Sequence, residues 1–167
     1  MKVAFVGNFS PEFSTENDLL RALRSLGVDV RTLQENSPTV WENLPALTDD
    51  VDFLLWVHTW SFDVPLAAAA LDAVKARGLR VVTFHLDRVW GLDREREVAS
   101  HPFYTHTDLL VSADGGHDAE WEAAGIEHRW LPPAVSRRSC YLADPDPVLF
   151  PHPVAFVGSW KNYHPEW

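Results

Sequence analysis

Apolar and polar residues alternate along the chain in blocks that change period from strand to helix. The run VAFVG at 3 to 7 is apolar up to a glycine. After it, Leu19, Leu20, Leu23 and Leu26 recur at helical spacing and predict one buried helix face. That helix should start at Ser14 or Thr15, with Asp18 three residues after Thr15 in the manner of a capping box. A second helix is expected over about Val64 to Arg77, turning Val64, Ala67, Ala68, Leu71 and Val74 inward and ending in Lys75 and Arg77.

Three stretches share one grammar: LRSLGVDVRTL at 23 to 33, VKARGLRVVTF at 74 to 84, and WEAAGIEHRWL at 121 to 131. Each reads as a helix end, a glycine and a strand, because glycine accepts the left-handed backbone that closes a helix. Strands are predicted at 2–7, 28–33, 52–58, 80–85, 108–112 and 127–131. VDFLLWVH and LRVVTFH are apolar almost throughout, which suits strands covered by helices on both sides. Alternating strands and helices imply a parallel, doubly wound α/β sheet. Residues 34 to 50 are the weak stretch, with Pro38 and Pro45 bracketing TVWENL in one short helix.

Composition narrows the classes of partner. The 167 residues are 46% hydrophobic, enough for one domain and a remainder. With 14 basic against 24 acidic residues the net charge is −10, which opposes unspecific binding to nucleic acid or anionic lipid. A single cysteine, Cys140, leaves no intramolecular disulfide and no zinc-binding pair, so a cytoplasmic location is expected. The first apolar run is too short for a signal peptide, and no run approaches the roughly 20 apolar residues of a membrane span.

In open parallel sheets, ligands gather at the carboxyl ends of the strands. That rule selects Gly7, Asn8 and Phe9, then His58 with Trp60, then His85 and Asp87, then Ser112 to Gly116 with Asp114 and Gly115. His85 is the first candidate for acid–base work, since imidazole titrates near neutral pH and Asp87 or Asp93 stands close enough to orient it. His58 reads either as a ligand contact or as a structural histidine beside Trp56 and Trp60. Asp114 serves either the entrance of an anion-binding helix or a simple N-cap. Trp60 and Trp90 lie in loops at the expected crevice. His85, Asp87, Asp93, His101 and His106 lack tight metal-ligand spacing, and no metal is expected. Neither GxGxxG nor GxxxxGK[ST] occurs, which removes the usual grounds for a dinucleotide enzyme or a P-loop NTPase.

The ordered signals VAFVGNF, VVTFHLD, LLVSADGGHDAEWEAAGI, RWLPPAV and a second VAFVGSW resemble the N-terminal half of GT-B glycosyltransferases of the group-1 and spore-maturation-protein-like branches. The resemblance implies a Rossmann-like, three-layer α/β/α acceptor domain over 1–131, a Pro-rich crossing segment over 132–153, and the first strand of a second, truncated domain over 154–167. It further implies transfer of a hexose from a nucleotide-sugar donor to an acceptor, with no tightly bound cofactor. His85 and Asp87 would then be catalytic. Gly7, Asn8, Phe9, His58, Trp60, Trp90, Asp114 and Gly115 would line the substrate cleft, and the missing donor domain would be the partner, in cis or on another chain. The alternative is a non-enzymatic, flavodoxin-like ligand-binding or interaction module.

Overall fold

Val3, Ala4, Phe5 and Val6 are wholly shielded from solvent, as an apolar strand must be when both its faces are covered. They belong to β1 (Lys2–Gly7), in a computed structural model that describes residues 1–58 and 64–132. The other strands are β2 (Asp29–Gln34), β3 (Phe53–Val57), β4 (Arg80–His85), β5 (Leu109–Ser112) and β6 (His128–Trp130). Together they form one sheet in the order β2-β1-β3-β4-β5-β6, with every neighbouring pair parallel. The expected doubly wound α/β class is therefore the observed one, and the predicted strands match within one or two residues at each end.

Among the described residues five α-helices connect these strands: α1 (Thr15–Ser25), α2 (Pro38–Leu47), α3 (Val64–Ala76), α4 (Pro102–Thr105) and α5 (Asp118–Ala123). They divide unequally between the two faces. Ala4, Val6, Leu54, Trp56, Val81 and Leu110 face one way and pack with residues of α2, α3, α4 and α5. Val3, Phe5, Val57 and Phe84 face the other way, and among the described residues only α1 covers them, through Leu19, Leu20 and Leu23. Phe53, Leu55 and Val111 on that side stay partly exposed. Among the described residues, helical cover on both faces is thus present for β1 and incomplete for β3 to β5.

The helix-glycine-strand grammar is realised in the backbone. Gly27, Gly78 and Gly125 close their helices at φ of 78°, 80° and 74°, a region that side chains with a Cβ disfavour. Several details differ from the pattern in the sequence. Ser14, not Thr15, caps α1 by accepting the Asn17 N–H at 3.1 Å, and Leu26 lies beyond the helix end with 79% of its surface exposed. In α3 it is Ala70, not Val64, that is buried with Ala67, Leu71 and Val74. Between 34 and 50 a ten-residue helix forms, with Pro38 in its first turn and Pro45 inside it. The hydrogen bond that Pro45 cannot donate is offset by burial of Val40, Trp41 and Leu44.

Gly7 ends β1 for a steric reason. A Cβ there would meet Glu16 Cγ at 2.8 Å and the Phe5 ring at 3.2 Å. Glu16 is itself buried and accepts the Asn8 N–H at 3.1 Å, so it has little room to retreat. Gly7→Ala should therefore lower stability by about 1–3 kcal/mol in urea unfolding, through overpacking and not through backbone conformation. Unchanged stability would show that Glu16 relaxes freely.

Candidate functional site

β1 lies between β2 and β3, so the chain leaves it toward one side and later returns on the other. The crevice of such a sheet opens where this reversal separates the loops, at the carboxyl ends of β1 and β3. Residues 8 to 14 follow β1 and are fastened by side chains. Gln34 accepts the Phe9 N–H at 2.9 Å, and the Asn17 amide donates to the carbonyls of Phe9 and Pro11 at 3.0 and 2.8 Å. Asn8 is buried within this arrangement, and Phe9 packs edge-on against Phe5 at 4.9 Å. Both face the fold more than they face the crevice.

Glu35, directly after β2, is the central polar group. Its carboxylate is wholly buried and accepts the Trp56 indole N–H at 2.7 Å, while the His58 Nδ1 lies 2.6 Å from the same oxygen. Its backbone carbonyl accepts the Trp41 indole N–H at 3.0 Å. One residue therefore ties the ends of β2 and β3 to α2. The His58 ring in turn lies 5.1 Å from that of His101 and 5.7 Å from that of Phe103. Trp60 lies outside the described residues.

His85 ends β4, with Phe103 at 5.8 Å and Tyr104 at 6.2 Å between rings. Its Nε2 is 3.4 Å from an Arg94 nitrogen, and its Nδ1 lies 2.9 Å from the Asp87 carbonyl oxygen and 3.2 Å from the Asp87 N–H. The expectation that a carboxylate orients His85 is corrected. The Asp87 carboxylate pairs with Arg94 at 3.0 Å, and it is the Asp87 backbone that positions the imidazole. Asp93 lines a separate groove. Burial, then the positive charge of Arg94, holds the His85 pKa below its ordinary value. Burial and the neighbouring His58 do the same to His101.

Beyond β5 the chain is also internally bonded. Asp114 is buried and accepts the Val89 N–H at 2.7 Å, so it caps the loop after β4 and not the following helix, whose N-cap is His117. Gly115 lies beneath the Trp130 indole, where a Cβ would come within 2.9 Å of the ring nitrogen. Trp90 turns inward against Trp121 at 4.9 Å. Ser112 Oγ lies 2.9 Å from His128 Nε2, and His128 Nδ1 lies 2.9 Å from Asp118 Oδ1. This has the order of a catalytic relay, yet Ser112 is wholly buried and its oxygen also accepts the Asp114 N–H at 3.1 Å. In this arrangement it clamps β5, β6 and α5 together.

The sequence does not single out Glu35, Arg94 and His128, and His101 is weighed there only as a metal ligand. Glu35 stands at a strand end and the carboxyl-end rule reaches it; Arg94, His101 and His128 meet their partners only through the fold. Among the described residues no group of three His, Cys, Asp or Glu side chains could hold a metal ion. No helix among them is long and apolar enough to cross a membrane.

Glu35→Ala strands two indole or imidazole donors in a buried place and should cost about 2–4 kcal/mol, read as a fall in the urea midpoint. His85 and His101 give a further prediction. Because their folded pKa values are lowered, the unfolded chain takes up protons first. Stability should therefore fall as pH drops through about 6.5 and keep falling until the folded histidines titrate. In His85→Gln this slope should be shallower in urea melts between pH 7.5 and 5, whereas an identical slope would show that His85 is not linked to folding.

No family model matches the chain, and no curated protein matches it. Among solved structures it is similar to the beryllofluoride-activated NtrC receiver domain in solution, at 19% identity over 80% of this chain and 82% of that one, with a TM-score of 0.34. The resemblance to GT-B glycosyltransferases is corrected: no family model and no curated protein of that kind matches the chain, and the similar solved structure named above is a receiver domain. Hexosyl transfer and a nucleotide-sugar donor fall with it. The physical reason lies in the motifs: VAFVGNF, VVTFHLD and LLVSADGG are the ends of β1, β4 and β5 with their turns. Any parallel doubly wound sheet presents apolar strands and polar turns in that order, so the order reports the fold and not the chemistry.

Proposed function

We propose that this chain is a non-enzymatic, flavodoxin-like ligand-binding or interaction module, built on residues 1–131. The observation that carries this reading is how the polar groups at the strand ends are used. Glu35 holds Trp56 and His58, Asp87 holds His85 and Arg94, and Asp114 holds Val89. Each spends hydrogen bonds on fixing a loop, although the buried Oδ1 of Asp114 has no partner among the described residues, and this supports a preorganised face for recognition. His58, His85 and Asp87 remain partly or fully exposed and form the polar part of that face.

The purified chain should show no turnover above buffer with nucleotide sugars, p-nitrophenyl esters or p-nitrophenyl phosphate, and nucleotide sugars should leave its melting temperature unchanged. Turnover that disappears in His85→Ala or Ser112→Ala would overturn the module reading.

A further inference from the structure

The segment from Trp90 to Ala99 runs beside α5 and leaves a groove of about 740 Å³ between them. Its walls are apolar: Trp90, Leu92 and Val98 on one side, Ala123 and Ala124 on the other. The volume exists because α5 turns its large residue, Trp121, into the core and leaves only alanines toward the groove. Both alanines are exposed, so the depression is open along its helical side. Trp90 rests on Trp121 with its indole N–H buried and without an acceptor among the described residues, so packing alone sets that ring.

The rim is charged and mostly of one sign. Among the described residues Asp93, Glu95 and Glu120 border the groove and Arg96 is the one cation on it. Glu95 turns one oxygen to the Gly91 N–H at 2.9 Å and Glu120 turns one to His117 at 3.1 Å, an exposed arrangement that leaves the carboxylate charge in place. Hydrogen bonding keeps the Glu120 pKa below its ordinary value, so it is ionised at neutral pH. The chain as a whole carries −10 and draws cations toward such a rim.

We propose that this groove docks a basic amphipathic helix of another protein, with its apolar side chains over Trp90, Leu92 and Val98 and its Lys or Arg residues against Asp93, Glu95 and Glu120. An open apolar trough with charged borders suits a helix laid along it better than a small molecule, which needs enclosure. The charge pattern selects against acidic partners as well as for basic ones. This rests on the reading of the chain as an interaction module and names the chemistry of its partner.

The test measures binding of three fluorescein-labelled 18-residue peptides to the full chain by anisotropy: an amphipathic Leu/Lys helix, the same helix with Glu for Lys, and a Lys peptide without leucines. The Leu/Lys peptide should bind at least tenfold more tightly than either other, and raising NaCl from 0.05 to 0.5 M should weaken it several-fold. Ala123→Trp, which fills the groove, and the double variant Asp93→Lys with Glu120→Lys should each weaken it at least tenfold while melting within a few degrees of the parent. Absent binding, equal binding of the Lys-only peptide, or parent-like affinity in the folded double variant would each overturn the groove proposal. None of these results touches the module reading, which only turnover overturns.

Discussion

The constraint on which the rest depends is the burial of β1 from both sides. A strand whose side chains at 3 to 6 are all shielded needs covering elements above and below it, and its backbone needs a parallel neighbour on each edge. Connecting β1 to β2 through α1 on one face, and β2 to β3 through α2 on the other, meets both needs. The same routing makes β1 the place where the winding reverses. The position of the crevice is thus a consequence of burying four residues.

Polar groups then follow from the loops that this routing creates. The backbone after each strand must turn away from the sheet, and its N–H and carbonyl groups lose their ladder partners there. In this chain they are met by side chains from a distance: Glu16, Gln34 and Asn17 for the β1 loop, Asp114 for the loop after β4. Glu35 adds a buried carboxyl group with an indole and an imidazole around it. Such hydrogen bonds fix one loop conformation, because a partly satisfied network in a low-dielectric place is more costly than an apolar one. The likeness of Ser112, His128 and Asp118 to a catalytic relay has the same origin, in a hydroxyl and an imidazole completing each other's bonds inside the fold.

The unequal cover of the sheet gives the two sides different characters. On the side of α2 to α5 the core is aromatic, with Trp41, Trp56, Phe103 and Trp121 in edge-on or stacked contacts that fill it. On the other side, among the described residues, α1 alone covers the sheet, and Phe53, Leu55 and Val111 stay partly open. The acidic groove lies on the crowded side, where small residues at the outer flank of α5 meet the segment that carries Trp90.

By itself, the sequence determined what is local. Apolar runs of five or six residues, glycines that only a left-handed helix end needs, and leucines at helical spacing place all six strands and the first and third helices, since each signal acts within a few residues of itself. It also marked Gly7, His58, His85 and Asp87 as strand-end residues. Only the tertiary structure decided what those residues touch. That Glu35 reaches Trp56 and His58, that Arg94 takes the carboxylate expected to orient His85, and that Asp114 caps Val89 instead of its own helix are matters of register between segments 7 to 25 residues apart. The same limit explains the misread family likeness. A glycine turn after an apolar strand is required by the geometry of the sheet, so its recurrence tells of the backbone, while the chemistry of a site belongs to side chains that only the fold brings together.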